Sequence, residues 1–340
     1  MAQAPDALKH IGLNWFALVM GLAGLSLAWG RATPLMGEVA GAGAMLLAAA
    51  AVLIFVVLMV VSWQRWQRYP EALAADLKHP VRHAFVATIP VSMILLATCG
   101  VSLFGTSVWL AVLWWAGSLT QFGATLWVLT RWLNAGKMEG LNWATLTPAL
   151  LIPVVGNVLA PLAGSSLDAG PWAAAQFGVG LLLWPVVLAL IFARIAAQGL
   201  WAERLLPITF ICVAPPSVVG SAVLQMGGPI VLAWMCWGAA LFFLLWSLQL
   251  VRRMLAQPFS MSFWALGFPL AALASLTLRL AVQHPAMEAP AIIFLAFATL
   301  VTLAMTTATW KGWRGGSLLQ PEPVAVMAVA SNDFPAGPRS

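Results

Sequence analysis

Charged residues are scarce in this sequence. Of its 340 residues, 62% are hydrophobic and only 8% are charged, whereas a soluble domain is about 45–50% apolar and about 25% charged. A chain of this composition cannot present a polar surface to water on all sides. The sequence therefore indicates an integral membrane protein with one membrane domain and no room for a large soluble one.

Cysteine is scarce as well. Cys99, Cys212 and Cys236 all fall within apolar runs, and no C-x-x-C pair occurs. The sequence thus offers no metal site and no disulfide framework, and we interpret the three thiols as small buried side chains. All four histidines fall at or beyond the predicted membrane edges, which argues against haem. We therefore expect no cofactor and no metal.

Ten apolar runs are long enough to cross a bilayer, since a membrane helix needs about 20 mainly apolar residues. The runs are continuous rather than alternating, which favours helices over a barrel. The predicted spans are residues 13–30, 38–62, 84–104, 107–131, 147–164, 172–194, 207–225, 229–251, 263–283 and 289–310. This divides the chain into a cytoplasmic N-terminal tail (1–12), a membrane domain (13–312) and a tail (313–340) that its composition predicts to be disordered.

Loop lengths group these spans in pairs. The connections after spans 2, 4, 6 and 8 are longer and basic, whereas those after spans 3 and 7 are tight turns around Gly105 and around Gly227-Gly228. The sequence therefore predicts five consecutive helical hairpins.

The distribution of Lys and Arg predicts the orientation. One side receives 14 of the 16 basic residues, and the other receives only Arg31 and Arg279. By the positive-inside rule both termini are cytoplasmic, in a plasma (inner) membrane. The pI of 9.9 follows from these loops, and attraction to anionic membrane lipid explains it without a nucleic-acid partner.

Helix-breaking residues concentrate in the odd-numbered spans. A proline inside a helix costs about 3 kcal/mol or more, and broken backbone at membrane depth is tolerated only where protein buries it or water reaches it. Among the even spans only the sixth has an interior proline, Pro185. We expect an inner ring of odd helices around a central path; the alternative is that the prolines only kink helices for packing. The candidate pore-lining or helix-break residues are Gly21, Gly24, Pro90, Pro153, Asn157, Pro215, Pro216 and Pro269.

Ionisable residues are absent from the central parts of the odd spans, apart from Arg279 near the outer end of span 9. A proton-coupled carrier usually needs an intramembrane acid or histidine, so passive conduction is favoured, although carriers coupled differently stay open. Half-helix amino termini near the midplane favour anions, while freed carbonyls suit cations. The residues leave the sign of the ion open, with a preference for anions.

Four motifs occur in order along the odd spans: "HPVRHAFVATIP" (79–90), "TPALLIPVVGNVLAPLAG" (147–164), "LPITFICVAPPSV" (206–218) and "FWALGFPLAALA" (263–274). Together they resemble the tellurite-resistance, C4-dicarboxylate/malic acid transporter and plant slow-anion-channel family over about residues 8–312. The resemblance implies five tilted hairpins with quasi-fivefold symmetry, a central pore and a homotrimer. It also implies an anion channel or transporter closed by a phenylalanine gate, which corresponds to Phe268 here, and we expect Gly267 to leave space for that ring to reorient.

Three functions compete. The first is a channel or uniporter for small inorganic or organic anions, and the second is a secondary transporter of C4-dicarboxylates such as malate, with a link to tellurite resistance. The third is a membrane enzyme. The spans contain no His, Cys or carboxylate cluster that such an enzyme would need, so we expect no enzymatic activity.

The roles of a few single residues stay open. Asn157 either forms an interhelical hydrogen bond or lines the pore. Arg279, and likewise Arg82 with His83, either anchors at the membrane surface or recruits anions at a vestibule.

Overall fold

The computed structural model describes residues 7–133, 143 and 145–319, and these residues form helices and turns without a strand. The rest of the sequence, including residues 320–340 of the predicted disordered tail, lies outside the described residues. The ten longest helical segments, numbered in chain order, are Leu13–Arg31 (α1), Glu38–Arg68 (α2), Arg82–Phe104 (α3), Val108–Thr130 (α4), Pro148–Gly164 (α5), Gly170–Gln198 (α6), Glu203–Gln225 (α7), Ile230–Leu248 (α8), Met261–Ala281 (α9) and Pro285–Arg314 (α10).

Eight of these segments, found among the described residues, are long and apolar enough to cross a membrane. The two that fall short are α4 and α5. α4 has the length but carries four tryptophans and Gln121, which lower its mean hydropathy. α5 is shorter than the other nine and is divided into several helical pieces. All ten segments nevertheless coincide with the predicted spans, and the largest differences are the extensions of α2, α6 and α10 beyond the apolar runs.

All five odd-numbered helices begin with a 3-10 helix that leads into an α-helix, whereas only one of the even helices, α10, does so. In α1, Leu13–Phe16 precedes Ala17–Arg31; in α3, Arg82–Ala87 precedes Thr88–Phe104; in α5, Pro148–Leu150 precedes Leu151–Val155; in α7, Glu203–Val213 precedes Ala214–Gln225; in α9, Met261–Leu266 precedes Gly267–Ala281. Such 3-10 runs seldom exceed about four residues, so the eleven residues in α7 are unusual. Four even helices are α-helical throughout, and α10 has only a three-residue 3-10 start.

The prolines mark these transitions. Pro90, Pro153 and Pro269 are each the third residue of an α-helical part, and Pro215 and Pro216 are the second and third. Proline is tolerated in a first turn, where its missing N–H has no α-helical partner to lose. The interruption expected at these prolines is therefore a change of helix type.

Backbone hydrogen bonding continues through this change of helix type. The amides of Thr88, Ala214 and Gly267, the first residues of three α-helical parts, donate to carbonyls three residues earlier. At these three positions, therefore, the expected free amino-terminal dipole ends do not form.

Burial separates the odd helices from the even ones. In the most apolar 18 residues of α1, α3, α7 and α9, 67–100% of the residues are buried, against 22–28% in α2, α6, α8 and α10. Nearly all of α5 is buried too. In a membrane chain this difference reports contact with protein rather than with lipid, so the odd helices form the interior of the bundle.

The interior helices contact one another in a closed sequence. α1 packs on α3, α3 on α5, α5 on α7, α7 on α9, and α9 returns to α1. Each even helix packs on the odd helix that precedes it in the chain. Two glycines allow the closest approach, because a Cβ added at Gly267 of α9 would lie 3.2 Å from the Cα of Gly21 of α1; small residues permit such helix contacts in membranes.

Polar side chains fix the interrupted helix α5. Gln121 and Thr125 of α4 both donate to the carbonyl of Pro153, at 2.7 and 2.5 Å. The Asn157 amide donates to Thr125 at 2.7 Å and accepts from Gln176 of α6 at 3.1 Å. These bonds satisfy backbone and side-chain groups that would otherwise be costly inside a membrane.

Candidate functional site

A cavity of about 180 Å³ lies inside the ring of odd helices, and each of the five contributes to its wall. It opens at the basic end of the bundle, which we define as the end where Arg65, Arg82 and Arg204 lie. Because the odd helices begin at this end, the 3-10 parts of α1, α3, α7 and α9 line the outer portion of the cavity. The wall is mostly apolar at depth and polar near the opening.

The opening carries more positive than negative charge. Its polar lining residues are Asn14, His79, Arg82, Thr88, Arg204, Ser260 and Ser262. Ser262 donates to the backbone carbonyl of Arg204 at 2.8 Å, which ties the start of α9 to the start of α7. Among the described residues, the guanidinium of Arg204 makes no ion pair, so its charge is available to a solute at the opening.

A buried carboxylate organises the other charges. Asp76, in the short helix Pro70–Lys78, pairs with Arg65 at 2.7 Å and with Arg82 at 2.9 Å. The side chains of Asp76 and Arg65 are only 7% and 6% exposed, while that of Arg82 is 42% exposed. Arg65 also donates to the carbonyl of Lys9 at 3.0 Å. One carboxylate thus offsets two cations, and the group keeps a net positive charge beside the cavity.

His79 turns the chain from that short helix into α3. Its Nδ1 accepts from the amides of Val81 and Arg82 at 3.1 and 3.2 Å, which requires an unprotonated Nδ1. Burial first, and the charge of Arg82 second, lower the pKa of His79 from its ordinary value of 6.5, while Asp76 acts in the opposite direction. The imidazole is therefore neutral at pH 7.

We expect acidification to destabilise this turn. Since the folded-state pKa of His79 is lowered, the unfolded chain binds more protons below about pH 6.5, and stability falls as the pH drops from there through the folded-state pKa. His79→Asn keeps an acceptor at the position of Nδ1 but does not titrate. The unfolding temperature of this variant between pH 7.5 and pH 5 should fall less than that of wild type; an equal fall would place the titrating group elsewhere.

Residues of all five odd helices form the deep end of the cavity. The lining residue farthest from the opening on each odd helix is Met20 on α1, Val91 on α3, Leu159 on α5, Pro215 on α7 and Pro269 on α9. Within the described part of the chain, no lining residue lies farther along any of these helices. Phe268 is 8% exposed and belongs to this closing layer.

Gly24, on the neighbouring helix α1, provides the space that the Phe268 ring occupies. A Cβ added at Gly24 would lie 2.8 Å from Cδ2 and 3.4 Å from Cε2 of that ring. Gly267, the residue before Phe268, lies against Gly21 and Met305, and the expectation that it leaves room for the ring to reorient stays a prediction. Gly21 in turn faces Trp264, which lines the cavity and donates from Nε1 to Thr309 at 2.8 Å.

The remaining candidates divide into two groups. Pro215 and Pro269 line the cavity, whereas Pro90, Pro153, Asn157 and Pro216 are buried away from its wall. Asn157 is fully buried and its hydrogen bonds join α4, α5 and α6, in agreement with the interhelical alternative.

Three residues at the site, Asn14, Asp76 and Trp264, were not singled out from the sequence. Asp76 is one of two acids, with Glu71, in a short polar segment between two spans that is flanked by basic residues, and this pattern was a signal for it. Nothing in the sequence distinguishes Trp264 from the eighteen other tryptophans.

At the opposite end of the bundle, Arg279 of α9 donates to Oε1 of Gln225 of α7 at 2.9 Å. The Nε of Arg279 is buried without a hydrogen-bond partner among the described residues. The end of this side chain is therefore held against a neighbouring helix.

Comparison with known proteins decides the family. The model of the SLAC1 family, described as voltage-dependent anion channels, matches residues 10–310. The chain belongs to the SLAC1 family. Its members are channels and transporters rather than enzymes, so the expected absence of enzymatic activity is confirmed. Membrane anion transport is the general function of SLAC1 proteins.

Relatives of this SLAC1 protein come from archaea, bacteria and plants. An uncharacterized transporter of Methanocaldococcus jannaschii, MJ0576, is 29% identical over 78% of this chain and 82% of its own. The tellurite resistance protein TehA homolog of Haemophilus influenzae is 29% identical over 77% of this chain and 79% of its own. The S-type anion channel SLAH3 of Arabidopsis thaliana is 26% identical over 70% of this chain and 38% of its own.

Proposed function

We propose that this SLAC1 protein is a passive anion channel or uniporter whose path runs along the axis of the odd helices and is closed by Phe268. The observation that carries the proposal is a cavity that all five odd helices line and whose deep end includes Phe268. Its positive opening attracts anions, and its apolar depth holds none of the ionisable groups that proton coupling usually needs. An apolar constriction stops ions by excluding water.

The architecture that we propose is five hairpins with quasi-fivefold symmetry, both termini being cytoplasmic in a plasma membrane. The closed sequence of odd-helix contacts and the pairing of each even helix with its predecessor support it. The basic end then faces the cytoplasm, in agreement with the positive-inside rule. A protease site placed at either terminus tests the orientation: cleavage from outside intact cells contradicts it.

A homotrimer is the assembly that we propose. The exposed faces of the even helices carry many large apolar side chains, which suit either lipid or neighbouring subunits. Native mass spectrometry of the detergent-purified protein tests the trimer, and a monomer across the whole concentration range contradicts it.

Flux in liposomes tests the function. Purified protein should carry chloride, nitrate and malate in proportion to their own electrochemical gradients, with current reversing at the equilibrium potential of the permeant anion. A secondary transporter of C4-dicarboxylates gives a different result: malate uptake that follows an imposed proton or sodium gradient. That outcome, or the absence of anion flux in correctly inserted protein, overturns the channel proposal.

Gly24→Ala offers a test of the gate that leaves the phenylalanine in place. The added methyl group would lie 2.8 Å from Cδ2 of the Phe268 ring, which is too close. The ring must therefore move, because a side chain rotates more easily than the backbone shifts. We expect anion flux above wild type but below that of a variant lacking the ring.

The matched control for Gly24→Ala is Gly41→Ala on the even helix α2, where an added Cβ meets nothing within 4 Å. This control should leave flux unchanged. Equal flux in Gly24→Ala and wild type, with the protein folded, argues that the ring position does not limit conduction.

A further inference from the structure

Two arginines lie at the end of the bundle opposite the cavity opening, which we call the distal end. Arg31 is the last residue of α1, and Arg279 lies in the last turn of α9. Both side chains are partly buried, and the two helices that carry them, α1 and α9, pack against each other. Gln225, the last residue of α7, accepts from Arg279 and completes a group from three adjacent odd helices.

Helical spacing places these three residues on the faces that line the cavity at the other end. Arg279 follows Phe268 by eleven residues, about three turns and about 16 Å along the helix. Gln225 has the same spacing from Ala214, a cavity-lining residue. Arg31 follows Met20, a cavity-lining residue of α1, by eleven residues as well. The group therefore lies over the closing layer, on the continuation of the same axis.

The two cations lack a carboxylate partner. The ion pairs within the described residues are all at the basic end, and none involves Arg31 or Arg279. The acids nearest the distal end in sequence, Glu38, Asp168 and Glu288, make no ion pair with them. In addition, Nε of Arg279 has no hydrogen-bond partner in the described part of the chain. Like charges held in a poorly solvated place are costly without a counter-charge.

We propose that Arg31, Arg279 and Gln225 form an anion-binding site at the distal end, distinct from the opening at the basic end. A guanidinium presents parallel N–H donors that match the oxygens of carboxylates and planar oxyanions. The site therefore takes a small oxyanion or carboxylate from solution, while the free amide hydrogens of Gln225 supply neutral donors. In the proposed channel, this site binds the permeating anion on the side of Phe268 away from the cavity opening. This role rests on the proposed function.

A phosphate of a lipid headgroup offers similar oxygens. The helical faces favour a solute, because Arg279 and Gln225 are on the same stripes as Phe268 and Ala214, which face the axis rather than the lipid. The experiment must nevertheless separate the two sources.

Thermal unfolding of the full-length protein in uncharged detergent gives the test, with sodium nitrate as the probe and ionic strength held constant by a bulky sulfonate buffer. Nitrate should raise the unfolding temperature of wild type saturably, by about 2–4 °C. Arg279→Gln and Arg31→Gln should each lose most of this shift. Two such variants keep the test valid if one of them fails to fold.

Two controls assign the site. Arg252→Gln, which removes an exposed charge at the basic end, should retain the full nitrate shift, and Arg204→Gln should retain most of it. If the shift vanishes in Arg204→Gln and persists in Arg279→Gln, nitrate binds at the cavity opening and the inference is overturned. A wild-type protein without any saturable shift overturns it as well.

A lipid arm uses phosphatidylglycerol in the micelles without nitrate. Stabilisation by this lipid should be the same in wild type and Arg279→Gln; dependence on Arg279 in this arm alone shows a headgroup site and overturns the solute proposal. Liposome flux is measured separately. If anions flow but nitrate gives no Arg279-dependent rise in unfolding temperature, the distal site is wrong and the proposed function stands. If nitrate gives that rise but no anions flow, the site stands and the proposed function is wrong.

Discussion

Phe268→Ala is expected to increase anion flux at least about tenfold, which corresponds to lowering the barrier by about 1.4 kcal/mol. Phe268 lies in the layer that ends the cavity, and its side chain is the bulkiest in that layer. Without the ring, water fills the constriction and an anion keeps part of its hydration shell on passing. Flux per protein in liposomes, measured with nitrate and chloride, checks this result.

Phe16→Ala is the matched control. Phe16 is fully buried in the 3-10 part of α1 but does not line the cavity, and it packs edge-on against Phe55 with ring centroids 5.8 Å apart. Its truncation should cost stability, about 3–5 kcal/mol as in other cores, without raising flux. If Phe268→Ala behaves like Phe16→Ala, with lost stability and low flux, Phe268 is a core residue and the gate lies elsewhere.

Asp76→Ala is expected to lower the free energy of unfolding by about 3–5 kcal/mol, because it leaves a buried cation without its partner. Arg65 is 5% exposed and pairs with no other carboxylate in the described structure. The loss should loosen the connection between α2 and α3, since the pair joins Arg65 of α2 to the short helix Pro70–Lys78. Thermal or denaturant unfolding in detergent measures the effect.

Glu203→Ala serves as the control for Asp76→Ala. Glu203 also pairs with an arginine, Arg253, but both side chains are about half exposed, and water screens such pairs. Its removal should leave the unfolding transition close to wild type. Similar destabilisation by the two substitutions contradicts the structural role assigned to the buried Asp76.

The positions of the helices were predictable from the sequence because the bilayer sets a minimum apolar length. All ten predicted spans coincide with helical segments, and the errors occur where helices such as α2 continue past the apolar run to Arg68. Hydropathy gives no signal there, because a helix outside the hydrocarbon core does not need apolar residues. Prolines are concentrated in the buried helices, although α1 has none and the exposed α6 has Pro185, and they did not predict that the backbone changes to a 3-10 helix before them.

The sequence by itself determined the class of protein, the helical spans and the concentration of prolines in the interior helices, because composition and run length act locally along the chain. Only the tertiary structure decided which residues meet. Gly24 makes room for Phe268, Asp76 joins Arg65 to Arg82, and Arg279 donates to Gln225 of another helix. These contacts depend on how the helices are rotated and how deeply they are set against one another. Packing fixes both, whereas the apolar length of a single span constrains neither.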